Sequence, residues 1–252
     1  SFSISKNIQR HLINNEYKIN DYLYIPINLN KKICKINASK VKILQSKTKP
    51  ILIPCIHKED NVEKNYTFML KPEDLRKEYI IMNIIKIIDN ILKTELDLDL
   101  HIVTYNILPI SEKFGFIEFI SNAYTIYDIK EEEKFSIQNF IIEKNPTITA
   151  SELRENFSKS CAAYCVITYL LGIGDRHLEN IMITKEGYIF NIDFGYVLGL
   201  DPKLLSPKFR LTTEMIDAMG GLHSKYFENF KQYCTIAFNC LRKHVDLFYI
   251  LI

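Results

Sequence analysis

What this chain lacks narrows its reading before any motif does. Its six cysteines, Cys34, Cys55, Cys161, Cys165, Cys234 and Cys240, include no Cys-x-x-Cys pair and no neighbouring His at metal-ligand spacing, so they read as reduced, mostly buried thiols. Charge of one sign is missing too. Lys and Arg number 32 against 30 Asp and Glu, and a net of +2 creates no global field to gather nucleic acid, so none is expected as a partner. The longest near-apolar stretch, Cys161 to Gly174, is shorter than the ~20 residues of a membrane span and carries Tyr164, Thr168 and Tyr169, which predicts a buried core helix. There is no internal repeat, and the Asn, Lys and Ile enrichment is a bias rather than a low-complexity tract. No signal peptide opens the chain, and a first residue of Ser rather than Met is expected of a fragment or a processed chain.

What is present is concentrated in one region. Gly174-Asp175-Arg176-His177-Leu178-Glu179-Asn180 is followed, thirteen residues after Asn180, by Asp193-Phe194-Gly195. An Asp and an Asn five residues apart on one loop, with a second Asp beside a Phe-Gly turn, supply a proton acceptor and two metal-holding oxygens, the working parts of ATP-dependent phosphoryl transfer. A lone Asp-Phe-Gly occurs by chance in many chains. Here the residues between the motifs, 181–184, the turn Lys185-Glu186-Gly187 and 188–192, predict two strands and their turn, which sets the motifs at hairpin distance.

A coarse pass divides the chain near residue 120. Residues 1–120 contain a polar opening segment, short Ile-rich strands at 40–45, 51–56 and 66–70, a helix from Glu73 to about Lys93, and strands at 102–109 and 115–120. In that helix Leu75, Tyr79, Met82, Ile85, Ile88 and Leu92 recur at three-to-four spacing and predict an apolar stripe packed under the sheet. Residues 121–252 are mainly helical. Thr149 with Glu152 forms a capping-box signature, starting a helix expected to run to about Leu171 and to deliver the Asp175 loop. The fold class is therefore α+β.

The run from Ser158 to Asn180, the run from Asn191 through Asp193-Phe194-Gly195 to Lys203, and Met219-Gly220-Gly221 resemble the catalytic domain of class III phosphatidylinositol 3-kinases, the vacuolar protein sorting type. The Asp-Arg-His order separates this lipid-kinase superfamily from ordinary protein kinases, which carry His-Arg-Asp. Ser136-Ile137-Gln138-Asn139-Phe140, 115–120 and Glu73-Asp74-Leu75-Arg76 extend the likeness over about residues 20–252, most specifically after Ser136. It implies a two-lobed protein-kinase-like fold, with a small β-rich N-terminal lobe over 1–120 and a larger helical C-terminal lobe over 121–252. That second lobe is expected to be cut short, because the chain stops at Ile252 in a helix begun near Tyr226 where family members continue. The implied activity moves the ATP γ-phosphate to the 3-hydroxyl of phosphatidylinositol with Mg2+ or Mn2+. A phosphatidylinositol membrane surface, a regulatory protein-kinase-like subunit, and a cytoplasmic location, peripheral on endosomal or autophagic membranes and serving sorting and autophagy, come with the resemblance.

Carried over position by position, the pattern makes Asp175 and His177 alternatives for handling the proton of the inositol hydroxyl, with Arg176 in a structural or electrostatic role beside them. Asn180 and Asp193 correspond to the metal ligands, Gly195 to the turn that aims Asp193, and Phe194 to packing. Lys203 and Arg210 match basic family positions and Lys208 adds a third charge; three cations in this loop suit the headgroup of plain phosphatidylinositol. On the nucleotide side, ungapped alignment puts Leu70 where the family has its ATP lysine. Lys71 follows one position later, so either the strand is shifted by one residue or Lys71 reaches in from a distorted strand end, and a one-residue shift reverses the side chain's face. The adenine edge is expected to meet backbone groups of Glu118, Phe119, Ile120 and Ser121, with Tyr105, Ile117, Ile120 and Ile192 as apolar walls. The turn Ser46-Lys47-Thr48-Lys49-Pro50 stands where phosphates are covered, with no Gly-x-Gly-x-x-Gly. Asn191 replaces a His that the family has before Ile-Asp-Phe-Gly, which removes a proton-holding group there. Two other readings stay open: a pseudokinase scaffold, favoured by Leu70 and Asn191, and a phosphatidylinositol 4-kinase, favoured by Phe209-Arg210-Leu211-Thr212-Thr213-Glu214.

Overall fold

The computed structural model describes residues 10, 23–46, 48–60, 62–131, 136–204 and 207–251. The chain divides into two compact units, Ser1–Met82 with Tyr105–Ser121, and Asn83–Thr104 with Asn122–Ile252.

The first unit is a 7-stranded antiparallel sheet. Its strands are β1 (Tyr24–Ile25), β2 (Asn28–Ile36), β3 (Lys42–Ile43), β4 (Ile51–Glu59), β5 (Val62–Lys71), β6 (Ile107–Ser111) and β7 (Phe114–Glu118). Their order is β1-β2-β4-β5-β7-β6, with β3 also paired to β4. Ile25, Ile33, Cys55 and Phe68 form its buried cluster, with Phe116 and Tyr66 packed against them. Strand β2 occupies part of what the sequence presents as a polar opening. Ile33 is its one buried residue, flanked by Lys31, Lys32 and Lys35, so the apolar alternation that betrays a strand is nearly absent. The strand expected at 40–45 shrinks to β3, because a 3-10 turn takes Ala38–Lys40, and that expected from 102 begins at Ile107.

Helix α1 (Arg76–Leu96) starts later than Glu73: Asp74 accepts a hydrogen bond from the Arg76 backbone at 3.0 Å, holding the entry outside the helix. Leu75, Met82, Ile85, Ile88 and Leu92 are buried as the stripe predicts, but Tyr79 is 44% exposed, and Ile81, Ile84 and Ile91 are buried instead. The buried face is thus broader than a single stripe.

The second unit is built on α4 (Ala150–Leu170), around which stand α2 (Ile126–Glu131), α3 (Ile137–Lys144), α5 (Thr213–Ala218), α6 (Lys225–Leu241) and α7 (Val245–Leu251). A 3-stranded sheet, β8 (Ala123–Thr125), β9 (Ile181–Thr184) and β10 (Ile189–Asn191), completes it. The Thr149 hydroxyl accepts from the Glu152 backbone at 3.1 Å, the cap expected, and α4 ends one residue before Leu171. Leu153, Phe157, Cys161, Ile183, Ile189 and Met219 lie in one buried cluster, and each large side chain removed from water there contributes about 1.5–3 kcal/mol. Thiols Cys55, Cys161, Cys165 and Cys240 are buried, Cys234 is partly so, and Cys34 is exposed. Burial pushes Cys55 up to about 11 and Cys234 up to about 12, so both stay protonated at neutral pH. Among the described residues no helix is long and apolar enough to cross a membrane.

Candidate active site

Strands β9 and β10 pair as Ile181 with Asn191, Met182 with Phe190 and Ile183 with Ile189, the hairpin the sequence predicts. Three polar side chains bolt it to its supporting helix α4. Asn156 donates to the Glu186 carbonyl at 2.8 Å, Ser160 accepts from the Ile189 backbone at 2.9 Å, and Asn191 donates to the Thr168 hydroxyl at 3.1 Å. Asn191 is therefore a buried brace, 5% exposed, turned toward α4.

Asn180 enters at the start of this hairpin and Asp193 leaves at its end. Asn180 is 7% exposed, and its Nδ2 donates to the Asp175 carbonyl at 3.0 Å. That bond orients the amide so that Oδ1, the end with metal-binding lone pairs, lies opposite. Asp193 is exposed, with Oδ1 accepting from the Gly195 backbone at 3.2 Å. In the turn that Gly195 is expected to permit, the residue in the left-handed region is Asp193, φ 59°. Gly195 matters for space: a Cβ there would stand 3.3 Å from Asp193 Oδ1.

Arg176 clasps the two motifs. Nε donates to the Gly174 carbonyl at 2.8 Å, Nη1 to those of Ile192 at 2.8 Å and Asn180 at 3.4 Å, and Nη2 to that of Asp193. The guanidinium also lies 5.7 Å from the centre of the Phe194 ring, a buried side chain. A planar, permanently charged fork spent on four carbonyls positions the loop and carries no proton.

Asp175 also has a left-handed backbone, φ 54°, and its N–H donates to Asp201 Oδ2 at 2.9 Å. The other oxygen of Asp201 accepts from the Lys203 backbone at 2.8 Å. One carboxylate thus joins the Asp175 loop to the basic loop, a link the sequence does not announce. The approach requires Gly174, where a Cβ would fall 2.3 Å from the Leu200 carbonyl and 2.8 Å from Asp201 Oδ2. His177 Nε2 lies 3.8 Å from Asp175 Oδ2, and its Nδ1 lies 3.6 Å from Glu179 Oε2. Asp175 and His177 are therefore near neighbours on the same loop.

The three basic positions of the following loop differ. Lys203 and Lys208 are exposed, whereas Arg210 is partly buried and its Nη1 reaches the Arg176 carbonyl at 3.4 Å. Arg210 thus turns toward the Asp175 loop rather than standing with the exposed cations.

The remaining expected residues belong to the first unit, apart from Ile192, which is partly buried beside Asp193. Lys71 ends β5 opposite Gly115, and Leu70 pairs with Phe116. Because faces alternate, Leu70 shares the face of buried Phe68, while Lys71 shares the opposite face with Met69 and its partner Ile117. The Lys71 ammonium contacts the Glu73 carboxylate and lies 3.6 Å from Glu78 Oε2. Glu78 is buried on α1, where its Oε1 accepts from the Tyr105 hydroxyl at 2.9 Å. Tyr105, 3% exposed, is therefore committed to the Glu78 network. The Glu118 and Phe119 backbone N–H groups donate to the Asn106 carbonyl at 2.8 Å and the Thr67 carbonyl at 3.1 Å. Both of these N–H donors are thus engaged within the first unit. Lys49 is exposed at φ 51°; Lys47 lies outside the described residues.

Comparison with known proteins puts a name to this arrangement. Residues 65–252 match the family described as phosphatidylinositol 3- and 4-kinase. The chain is 35% identical over 246 residues to phosphatidylinositol 3-kinase pik3 of Schizosaccharomyces pombe, covering 94% of this chain and 30% of that protein. It is 41% identical over 191 residues to the root isoform of phosphatidylinositol 3-kinase of Glycine max, covering 72% of this chain and 23% of that protein. To phosphatidylinositol 3-kinase VPS34 of Saccharomyces cerevisiae it is 35% identical over 228 residues, covering 88% of this chain and 26% of that protein. The chain thus spans less than a third of the length of these curated relatives. With an α+β fold of the kinase-like kind and both phosphoryl-transfer motifs on one hairpin, the chain belongs to the phosphatidylinositol 3- and 4-kinase family.

Proposed function

We propose that this chain is the catalytic domain of a class III phosphatidylinositol 3-kinase, transferring the ATP γ-phosphate to the 3-hydroxyl of phosphatidylinositol. The observation that carries the reading is the clasp of Arg176, whose guanidinium binds the Gly174, Asn180, Ile192 and Asp193 carbonyls and so ties both motifs to one scaffold. The similar proteins named above are all phosphatidylinositol 3-kinases, which supports position 3 over position 4.

Asn180 Oδ1 and the Asp193 carboxylate are hard oxygen donors, the set that suits Mg2+ or Mn2+. Bound there, such an ion neutralises charge on the ATP phosphates. Lys71, oriented by Glu78, is assigned to the ATP phosphates, and Ile117, on the same strand face as Lys71, to the base along with Ile120. The inositol 3-hydroxyl oxygen attacks the γ-phosphorus and the bond to the ADP oxygen breaks. The hydroxyl proton passes to the Asp175–His177 pair. Lys203 and Lys208 attract the anionic headgroup, each exposed cation near an anionic surface contributing on the order of 1 kcal/mol. Endosomal and autophagic membranes as the site of action, and a regulatory protein-kinase-like subunit as partner, follow from the class III reading.

The test incubates the chain with phosphatidylinositol vesicles, labelled ATP and Mg2+ or Mn2+, resolves the 3- and 4-phosphate products, and runs Asp193→Asn beside it. Product at position 3 that falls on the order of 10³-fold in the variant is expected, as for loss of the charge that holds the metal. Product at position 4 assigns the sister activity; no product, from this chain and from one extended beyond Ile252 alike, favours a scaffold, whereas activity regained on extension assigns the loss to an incomplete lobe.

A further inference from the structure

Cys240 stands in the last turn of helix α6, and His244 closes the 3-10 turn Arg242–His244 that follows. The two are four residues apart, a metal-ligand spacing, which corrects the expectation that no cysteine has a His at such a spacing. The third member is Glu95, at the end of α1, 145 residues before Cys240. Its Oε2 accepts a hydrogen bond from Cys240 Sγ at 3.7 Å and its Oε1 lies 2.8 Å from His244 Nε2. All three donor atoms fall within 4.8 Å of one another.

The 2.8 Å approach is not a hydrogen bond. His244 Nε2 is buried and has no aligned hydrogen-bond partner among the described residues, so ring nitrogen and carboxylate meet side by side rather than head-on. Donors converge in this way on a shared cation. A tetrahedral centre with bonds of about 2.0–2.3 Å sets its N, O and S donors about 3.3–3.6 Å apart, a spacing that the two observed separations bracket. Cys240 is 4% exposed, so its sulfur is shielded, while Glu95 is 44% exposed at its side chain and leaves a path for entry and for a water as fourth ligand.

We propose that Glu95, Cys240 and His244 form a binding site for a zinc-class divalent cation. Thiolate, imidazole and carboxylate together exclude Mg2+ and Ca2+, which take oxygen ligands, and distinguish this site from the Asn180 and Asp193 pair. Binding displaces the Cys240 proton to solvent and ties the end of α1 to the α6–α7 junction. The site is independent of the proposed kinase activity.

The experiment titrates the reduced full chain with Co2+ and reads the sulfur-to-cobalt charge-transfer absorption, which an all-oxygen site cannot produce. One equivalent of Co2+ is expected to give the band, and Zn2+ to abolish it by displacement. The band should persist in Cys34→Ser and vanish in Cys240→Ser. Glu95→Gln, a change at a half-exposed position, should weaken binding at least about tenfold, and zinc should raise the melting temperature of the parent chain more than that of this variant. Absence of the band at stoichiometric cobalt, its loss in Cys34→Ser with retention in Cys240→Ser, or equal affinity in Glu95→Gln would overturn the proposal. Should Cys240→Ser not fold, the parent titration and Glu95→Gln decide alone.

Discussion

In the second unit the loop that carries Asp175 is held by backbone: Arg176 binds four carbonyls, and Asp201 takes the Asp175 N–H. In the first unit Lys71 is held by side chains, the carboxylates of Glu73 and Glu78, with Tyr105 steadying Glu78. The difference separates two ways of preparing a site. Backbone anchoring fixes geometry to fractions of an ångström and tolerates no substitution of the clasp. An ion pair fixes a direction, and phosphate oxygens can compete for the same ammonium.

Breaking the clasp should have the largest effect. Arg176→Ala should lower kcat by about 10²-fold, the cost of a misplacement of about 1 Å, with the KM for ATP little changed. Arg176→Lys should not rescue it, because an ammonium cannot span four carbonyls. Vesicle kinase assays with both variants check this, and a KM effect matching the kcat effect would erase the contrast between the units.

On the ion-pair side, Lys71→Met should reduce kcat/KM for ATP by about tenfold to a hundredfold, as for a lost charged hydrogen bond of about 1.5–3 kcal/mol. Glu78→Gln should produce a smaller loss of the same kind, because Tyr105 can still bond the amide. Leu70→Met should leave ATP binding unchanged, since Leu70 shares the face of Phe68. A larger loss from Leu70→Met than from Lys71→Met would reverse the assignment.

Asp201→Asn should cost about tenfold in kcat, one strong hydrogen bond to the Asp175 loop being weakened rather than removed. Since the same side chain accepts from the Lys203 backbone, the KM for phosphatidylinositol should rise with it, whereas the KM for ATP should not. Steady-state kinetics varying each substrate separates the two.

The smallest effect concerns stability. His57 is buried in the first unit beside the Tyr66 ring, and desolvation, aided by Lys31, lowers its pKa from 6.5. Below 6.5 the unfolded chain therefore binds more protons than the folded one. Stability is full above that pH and falls as pH drops from 6.5 toward the lowered folded value. Melting curves on either side of pH 6.5 should show the fall, and His57→Phe should flatten it. An equal slope in the variant would assign the loss to other groups.

Legibility followed locality. The Asp175-to-Asn180 loop, the hairpin to Asp193 and the Thr149 cap all depend on residues within a few positions of one another, and all three stand where the sequence puts them. Strand β2 was hidden because its pairing with β4 holds a sequence with a single buried side chain. Tyr79 fitted the helical period but not the burial, since period alone cannot say how wide the covered face is. Likewise, the left-handed backbone of Asp193 and the binding of its carbonyl by Arg176, 17 positions away, leave no mark in the local sequence.

The sequence by itself determined which carboxylate, amide and imidazole groups lie on one loop and hairpin, and hence which class of reaction is proposed. Short spacings dictate that outcome whatever surrounds them. Tertiary structure decided how those groups are held and which neighbours they acquire. Lys71 rather than Leu70 faces Glu78 because β7 pairs with β5 in one register, and in a strand one step reverses the face. Arg176 binds carbonyls on both motifs, Asp201 joins the loop of Asp175 to that of Lys203, and Glu95 meets Cys240 and His244, because the folded chain brings together segments whose separation along the sequence leaves no periodic trace.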